Sequence, residues 1–196
     1  VAIKGNYAYI AGGSDNGIGV VDISNPANPV YVASVLDDGT KALAGATAIA
    51  IRDNYAYVAS YTDDGVEILD ISVPTNPVHV GMIIDTAETE LDGAGSIALY
   101  GNYALVTAYD DDGLEIIDIS NPANPTVVGG SVLSLPASPR QVFISGRYAY
   151  VAFYSAVNTD AFRIIDISDS KNPTVVGGSS LVLGFSAWSI FVSGRY

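Results

Sequence analysis

The sequence predicts an all-β fold made of tandem four-stranded β-propeller blades, and two repeated motifs carry this prediction. An aspartate ends an apolar run at four positions that are each 48 residues apart, namely Asp22, Asp70, Asp118 and Asp166. A tyrosine-rich motif precedes each aspartate and appears a fifth time near the end of the chain, with its first tyrosine at Tyr7, Tyr55, Tyr103, Tyr148 and Tyr196. No long stretch has helical periodicity, so repeats of 45–48 residues with several short strands indicate propeller blades.

The second repeat shows how four strands fit into one unit. Strands are expected over residues 47–51, 55–60, 66–71 and 78–84, because these runs are apolar and rich in β-branched residues or alternate large and small side chains. The Asp64-Gly65 pair marks a hairpin turn and supplies the positive φ that such turns need. The segment 72–77 contains two prolines and an asparagine, which predict a rigid turn before the fourth strand.

The whole chain, residues 1–196, is expected to form one propeller region with repeats at about 1–46, 47–94, 95–139 and 140–186. The fourth repeat carries three extra residues in its loop at 155–161, and such insertions often form binding loops. Residues 187–196 repeat the beginning of a blade and predict a leftover first strand at 189–193. Because open edges are ready to pair, we expect either part of a larger propeller or an assembly in which residues 189–196 of one copy complete a blade of the next.

The composition excludes several kinds of function. Acidic residues outnumber basic residues by 21 to 8, and the formal net charge of −13 argues against nucleic-acid binding, which depends on Lys and Arg. No apolar run of about 18 residues is present, so membrane insertion is not expected. The absence of cysteine excludes disulfides, thiol nucleophiles and thiolate metal sites. A basic protein or a cation is the partner that suits this charge.

The repeated segments GVVDISNPANP, EILDISVPTNP, EIIDISNPANP and RIIDISDSKNP, each preceded by a motif such as GNYAYIAG, resemble the LVIVD repeat. The resemblance covers the whole chain. It implies a β-propeller of the kind found in bacterial and archaeal secreted or cell-surface proteins, and it brings no catalytic signature. An extracellular or cell-surface location is expected mainly on this ground.

The aspartate of the repeated segment is expected to be structural. A residue that is present in every blade is more suited to building the blade than to chemistry, and Asp22, Asp70, Asp118 and Asp166 each precede a turn. Their carboxylates can accept hydrogen bonds from turn amides or from a neighbouring blade. The alternative is a ring of metal-binding carboxylates.

Function is expected where the repeats differ, and the charges differ most. The loop between the second and third strands of a blade lies at the same end as the connection to the next blade; we call this end the top face. Thirteen of the 21 acidic residues fall in these segments: Asp15, Asp37, Asp38, Asp63, Asp64, Asp85, Glu88, Glu90, Asp92, Asp110, Asp111, Asp112 and Asp160. The opposite end, the bottom face, holds Lys4, Arg52, Arg147, Lys171 and Arg195 against Asp53 and Asp169. A negative top face keeps the surface soluble, recruits a basic partner or cations, or supports head-to-tail contact between copies.

No cofactor is predicted, and calcium is the alternative. The segment 109–113, Tyr-Asp-Asp-Asp-Gly, is dense in carboxylates. However, known calcium loops place their ligands at alternate positions and end in Glu, whereas consecutive aspartates point in different directions. Attraction of cations to the whole acidic face is therefore favoured over a specific calcium site.

The entry to the first strand of each blade supplies a second candidate site. The residues eight positions before the marker tyrosines are Thr47, Gly95, Arg140 and Trp188, and these positions are expected near the top mouth of the central channel. An exposed tryptophan beside an arginine is typical of binding hot spots. The alternative is that Trp188 packs between blades.

These observations predict a non-catalytic protein. The single histidine, His79, falls in an outer strand, and no nucleophile motif, histidine metal pair or phosphate loop is present. We expect an extracellular or cell-surface module that binds a protein partner or another ligand. The alternatives are a structural subunit of a surface assembly or filament, made from further copies of the chain, and a carbohydrate-active enzyme that uses two loop carboxylates.

Overall fold

The computed structural model describes residues 1–128, 133–135, 138–154, 161–177 and 187–193. These residues form four antiparallel sheets in which sequential strands are neighbours, except that the short strand Leu133–Ser134 pairs with Gly113–Asp118, so the all-β propeller-blade prediction is confirmed. Within the described ranges, no helix that is long and apolar enough to cross a membrane is found.

Each sheet corresponds to one repeat, and we number the blades 1 to 4. Blade 1 consists of β1 (Ala2–Lys4), β2 (Tyr7–Gly12), β3 (Gly17–Asp22) and β4 (Val30–Leu36), and blade 2 of β5 (Ala46–Arg52), β6 (Tyr55–Ser60), β7 (Gly65–Asp70) and β8 (Val78–Ile84). Blade 3 consists of β9 (Ala94–Tyr100), β10 (Tyr103–Ala108), β11 (Gly113–Asp118), β12 (Thr126–Val127) and β13 (Leu133–Ser134). Blade 4 consists of β14 (Ser138–Ser145), β15 (Tyr148–Tyr154), β16 (Phe162–Asp166) and β17 (Thr174–Val175).

The two sequence motifs are cross-strand partners in every blade. The marker tyrosine opens the second strand and the marker aspartate closes the third. The pairs are Tyr7 with Asp22, Tyr55 with Asp70, Tyr103 with Asp118, and Tyr148 with Asp166. The longer spacing in the fourth repeat leaves this register unchanged, because the extra residues lie between β15 and β16.

The hairpin turns assign positive φ to a residue other than the glycine of each Asn-Gly or Asp-Gly pair. Asn16, Asp64 and Asp112 have φ of 52°, 49° and 52°, and a glycine follows each of them. Gly65 is required for a different reason, since a Cβ atom there would lie 2.5 Å from the carbonyl oxygen of Ile83. Asn and Asp tolerate the left-handed region better than other non-glycine residues. The first residue of the pair therefore adopts the positive φ, and the glycine allows the close approach of the neighbouring strand.

The hydrophobic core lies between neighbouring blades, not within them. One cluster joins blades 1 and 2 around Tyr9 and Leu69, a second joins blades 2 and 3 around Ile68 and Val106, and a third joins blades 3 and 4. A blade is one sheet thick, so it can bury its two apolar faces only against the blades on either side.

Blade 1 has one apolar face that no described residue covers. Ile10 is 39% exposed, whereas the residues at the same register position of the other blades, Val58, Val106 and Val151, are fully buried. Ile10 and the exposed Tyr31 border a groove of about 500 Å³ on this face. We call it the open face of blade 1.

Residues 187–193 differ from the prediction of a first strand. They lie beside blade 4, where Ile190 N donates to Gln141 Oε1 at 2.6 Å and the ring of Phe191 packs edge-on against Phe143 at 5.3 Å. A strand requires a ladder of backbone hydrogen bonds to a neighbour. The described residues show one such bond for this segment, from Ala187 N to the carbonyl oxygen of Phe153 at 3.0 Å, and no strand. Residues 194–196 lie outside the described residues.

Candidate functional site

The top face is held together by acidic side chains that bind the backbone of the neighbouring segment. Asp63 Oδ2 accepts from Ala44 N at 2.7 Å, and Asp64 Oδ1 accepts from Gly93 N at 2.9 Å. Each bond joins a hairpin turn to the connection between blades. These carboxylates therefore have a structural task, but a neutral amide does not cancel their charge.

Acids from two blades converge where blades 2 and 3 meet. Burial raises the pKa of Asp92, and the charges of Asp64, Asp110, Asp111 and Asp85 raise it further. The pKa of Glu90 is raised in the same way, first by burial and then by Asp111, Glu115 and Asp85. The geometry agrees, because Asp111 Oδ2 accepts from Asp92 N and Asp64 Oδ1 accepts from the next amide, Gly93 N, both at 2.9 Å. We call Asp64, Asp85, Asp92, Asp110 and Asp111 the acidic junction.

Tyrosines stand among these acids. Tyr61 Oη donates to Asp110 Oδ2 at 2.6 Å, and this bond is the main cause that raises the pKa of Tyr61 to about 12. The rings of Tyr61 and Tyr109 lie 6.3 Å apart. Both residues directly follow the second strand of their blade, so the repeat places them side by side at the rim of the mouth.

The remaining predicted top-face acids are arranged locally. Asp37 and Asp38 accept amide bonds within their own loop, and Asp38 pairs with Lys41 at 2.5 Å, which holds its pKa well below the usual range. Asp15, Glu88 and Asp112 are exposed, while Asp160 lies outside the described residues. Among the described residues, no three His, Cys, Asp or Glu side chains form a group that could hold a metal ion.

The four repeat aspartates each accept a bond from the amide two residues ahead. Ser24, Ser72, Ser120 and Ser168 donate to Asp22, Asp70, Asp118 and Asp166 at 2.8, 2.7, 2.8 and 3.0 Å. The bonds from these serines hold the pKa of every one of the four carboxyls below its ordinary value. The side chain thus closes the turn that follows the third strand.

Two of the bottom-face cations, Lys4 and Arg52, join neighbouring blades. Lys4 Nζ donates to Asn54 Oδ1 at 2.6 Å, and Arg52 donates to the carbonyl oxygens of Gly101 and Ile119. Arg195 lies outside the described residues. The charges at the two ends therefore also stabilise the fold. Carboxylates accept hydrogen bonds from backbone amides at the top, and cations donate to amide and carbonyl oxygens at the bottom.

The mouth of the channel brings together the four predicted entry positions. Thr47, Gly95, Arg140 and Trp188 all line one cavity of about 250 Å³. Trp188 is 64% exposed, and its ring lies against Arg140 and Tyr154 of blade 4. Below the mouth, the first strands line a further cavity of about 540 Å³.

Three of these entry positions are the extra residues of β-bulges. The pairing of β5 with β6 skips Thr47, the pairing of β9 with β10 skips Gly95, and the pairing of β14 with β15 skips Arg140. A bulge redirects the side chain of its extra residue and is common next to functional sites. The sequence pattern did not predict these bulges, although the equal distance from the marker tyrosines selected the residues at which they occur.

Arg140 lies among aromatic rings. The centre of its guanidinium is 3.9 Å from the ring centre of Tyr109, 4.6 Å from Trp188 and 5.3 Å from Tyr154. Trp188 also meets Tyr154 edge-on at 6.1 Å. These contacts join blade 3, blade 4 and the segment 187–193, and they fix the position of the charge.

Two buried glutamates were not singled out from the sequence. Glu67 and Glu115 lie at the same position of β7 and β11 and are fully buried. Glu67 accepts from Ala42 N at 3.0 Å and contacts His79 Nδ1 at 2.5 Å, while Glu115 accepts from Glu90 N at 3.0 Å. An acidic residue in the middle of an apolar strand, as in VEILD and LEIID, was the available signal.

Solved structures that resemble the chain show the fold alone. A proposed 6-phosphogluconolactonase from Bacteroides uniformis has a TM-score of 0.74 and 17% identity, over 93% of this chain and 53% of that chain. Kuenenia stuttgartiensis hydrazine synthase has a TM-score of 0.66 and 17% identity, over 88% of this chain and 46% of that chain. A periplasmic gluconolactonase of Pseudomonas aeruginosa has a TM-score of 0.66 and 14% identity, over 87% of this chain and 51% of that chain. The chain spans about half the length of these structures.

The family comparison is specific. No curated protein matches the sequence. The family model of the LVIVD repeat matches it four times, at residues 1–37, 45–85, 93–132 and 138–179, in agreement with the resemblance of the repeated segments. The chain belongs to the LVIVD repeat family.

Proposed function

We propose that the chain is a non-catalytic interaction module of an extracellular or cell-surface protein, and that its top face binds a basic protein partner. The observation that carries the proposal is the acidic junction. Its carboxylates come from two blades, and their charges add to burial, the main cause, in raising the pKa of Asp92. A cationic partner relieves this repulsion, and a concentrated field of one sign speeds its association.

Two further features support a protein partner. The ring of Tyr61 is partly exposed and its hydroxyl bonds to Asp110 of the junction, and aromatic residues are common at the centres of protein interfaces. The segments that carry the acids are turns and connections on a rigid β scaffold, which is where binding residues concentrate.

The experiment compares two neutralised turns at the top with one at the bottom. Blade 1 has Asn16 where blades 2 and 3 have Asp64 and Asp112, with nearly the same positive φ. The double variant Asp64→Asn/Asp112→Asn is therefore expected to fold. The control is Asp53→Asn on the bottom face, whose φ is also 52°.

Binding is measured by calorimetry with a peptide of alternating arginine and glycine, at low and high salt. We expect the wild type and the control to bind, with affinity that falls as salt screens the charges, and the double variant to bind several-fold more weakly. Equal affinity of the double variant and the control, or binding that ignores salt, contradicts the proposal. A peptide of alternating glutamate and glycine is the negative probe.

A second candidate is a structural subunit of a surface assembly, and the open face of blade 1 favours it. This face is apolar at Ile10, Tyr31 and Leu36, all of them exposed. Equivalent faces of the other blades are covered by a neighbouring blade. Light scattering over a concentration series tests this candidate, since polymers that disappear in Ile10→Asp support it and a monomer at all concentrations opposes it.

A further inference from the structure

We propose that the cavity at the channel mouth binds a carboxylate group, with Arg140 as its cationic partner and Trp188 as its apolar wall. This site differs from the acidic junction in position and in the charge that it selects. The proposal is independent of the proposed function.

The positive charge of Arg140 has no ion-pair partner among the described residues. The ion pairs found in the described part of the chain involve Lys41, Arg52, His79 and Arg147, but not Arg140. Arg140 is instead held by the faces of three aromatic rings, and its buried Nε atom has no hydrogen-bond partner. A guanidinium that lines a cavity without a counter-ion attracts an anion, and carboxylates match its planar fork.

The polar side chains around the cavity differ in the hydrogen-bonding groups that they can still offer to a ligand. Thr47 Oγ1 donates to the carbonyl oxygens of Ala59 and Ala94, so this hydroxyl hydrogen is already engaged. Gln141 Oε1 accepts from Ile190 N, so the group that Gln141 can still offer is its Nε2 donor. Arg140 and Gln141 thus both offer donors to the cavity, and a ligand with acceptor atoms matches them.

The size of the cavity limits the ligand that it can hold. The cavity holds about 250 Å³, which is less than the ~300–1,000 Å³ of pockets that enclose drug-sized ligands. It suits a small organic acid, or the carboxylate of one peptide residue. Trp188, which is exposed, supplies an apolar surface for the carbon skeleton of either.

The negative top face does not prevent this binding. The acidic field slows the approach of an anion and weakens its attraction to the cavity. The affinity comes from the paired hydrogen bonds that the planar guanidinium of Arg140 donates to a carboxylate, which repulsion at longer range does not remove.

The test uses Trp188, which is the only tryptophan of the chain and therefore the dominant source of its red-shifted fluorescence. Acetate and glutarate are titrated at constant ionic strength, with acetamide and chloride as neutral and anionic controls. We expect a saturable change with the carboxylates and none with the controls. Arg140→Gln is expected to abolish the saturable change, and Arg140→Lys to weaken affinity about tenfold, because lysine keeps the charge without the fork.

The matched control variant is Arg147→Gln. Arg147 also lies over a tyrosine ring, at 5.0 Å from Tyr148, but on the bottom face. We expect it to bind as the wild type does. A peptide with a free C-terminal carboxylate and its amidated form identify the source, since tighter binding of the free form than of acetate indicates a polypeptide end.

The proposal is overturned if the wild type shows no saturable change, if acetamide or chloride produces the same change, or if Arg140→Gln binds like Arg147→Gln. If Arg140→Gln does not fold, Arg140→Lys decides, and an unchanged affinity then overturns the proposal.

Discussion

Glu67 and His79 form a contact of 2.5 Å between Oε1 and Nδ1, at the junction of blades 1 and 2. The carboxylate is fully buried, whereas the His79 side chain is 38% exposed. A buried carboxylate is costly unless it is paired and hydrogen-bonded, and Glu67 has both His79 and the amide of Ala42. These two partners offset part of the cost of burying this carboxyl group in strand β7.

The first prediction concerns the pH dependence of stability. Burial is the main cause that raises the pKa of Glu67, against the lowering effects of Ala42 and His79. The folded state thus binds this proton more tightly than the unfolded state. Its contribution to stability falls as pH rises from the unfolded pKa of about 4.3 through the raised folded pKa. In Glu67→Gln this titration is absent, so we expect its stability relative to the wild type to increase with pH over that window.

Urea unfolding over a pH series measures this difference. His79→Gln is the companion variant, because loss of the histidine removes an interaction that lowers the pKa of Glu67 and extends the window upwards. Parallel stability curves for wild type and Glu67→Gln at all pH values contradict the prediction.

The second prediction concerns the turn aspartates, with Asp118 as the example. Bonds from Ser120 lower its pKa, so its stabilising contribution is complete above the unfolded pKa of about 3.9 and is lost as pH falls through the folded value. Asp118→Ala is expected to cost about 1 kcal/mol or less at neutral pH, since the bond lies near solvent. Asp118→Asn keeps the acceptor and should lose less. Thermal unfolding ranks the two variants, and equal losses of stability would contradict the prediction.

The third prediction concerns Gly65 in the hairpin of blade 2. A Cβ atom there meets the backbone oxygen of Ile83, which cannot move without breaking the pairing of β7 with β8. Gly65→Ala is therefore expected to destabilise the protein by about 1–3 kcal/mol. Gly19→Ala is the control, because nothing lies within 4 Å of its added Cβ. Chemical denaturation measures both, and similar losses would show that the close contact does not matter.

The fourth prediction compares one register position in two blades. Val58 is fully buried between blades 1 and 2, whereas Ile10 lies on the open face of blade 1. Val58→Ala should cost roughly 2 kcal/mol from lost burial and the cavity that remains. Ile10→Ala removes more carbon but should cost less than about 1 kcal/mol. A larger loss for Ile10→Ala in dilute solution would mean that another surface covers this face.

Much of the fold could be predicted from spacing. The marker tyrosine and aspartate proved to be cross-strand partners, as for Tyr55 and Asp70, so their fixed distance in the sequence reflects a fixed register. The sequence could not predict that Asp64 takes the positive φ while Gly65 is needed for lack of space, because this depends on how closely β8 approaches.

The candidate site was only partly predictable. The location of the acids follows from the loop order, but their bonds do not, since Asp64 binds the amide of Gly93, which is distant in sequence. Trp188 and Arg140 were selected together by their register, while the β-bulge at Arg140 and its contact with Tyr109 depend on neighbouring strands and blades. Glu67 was overlooked because an acidic residue inside a strand usually faces solvent.

Hydrogen exchange with and without the arginine–glycine peptide measures whether the top face is the binding surface. We expect slower exchange in the top-face segments 61–64, 85–93 and 109–112, with no change in the bottom turns 52–54 and 101–102. Protection confined to the bottom turns or to the open face of blade 1 would show that the peptide binds elsewhere.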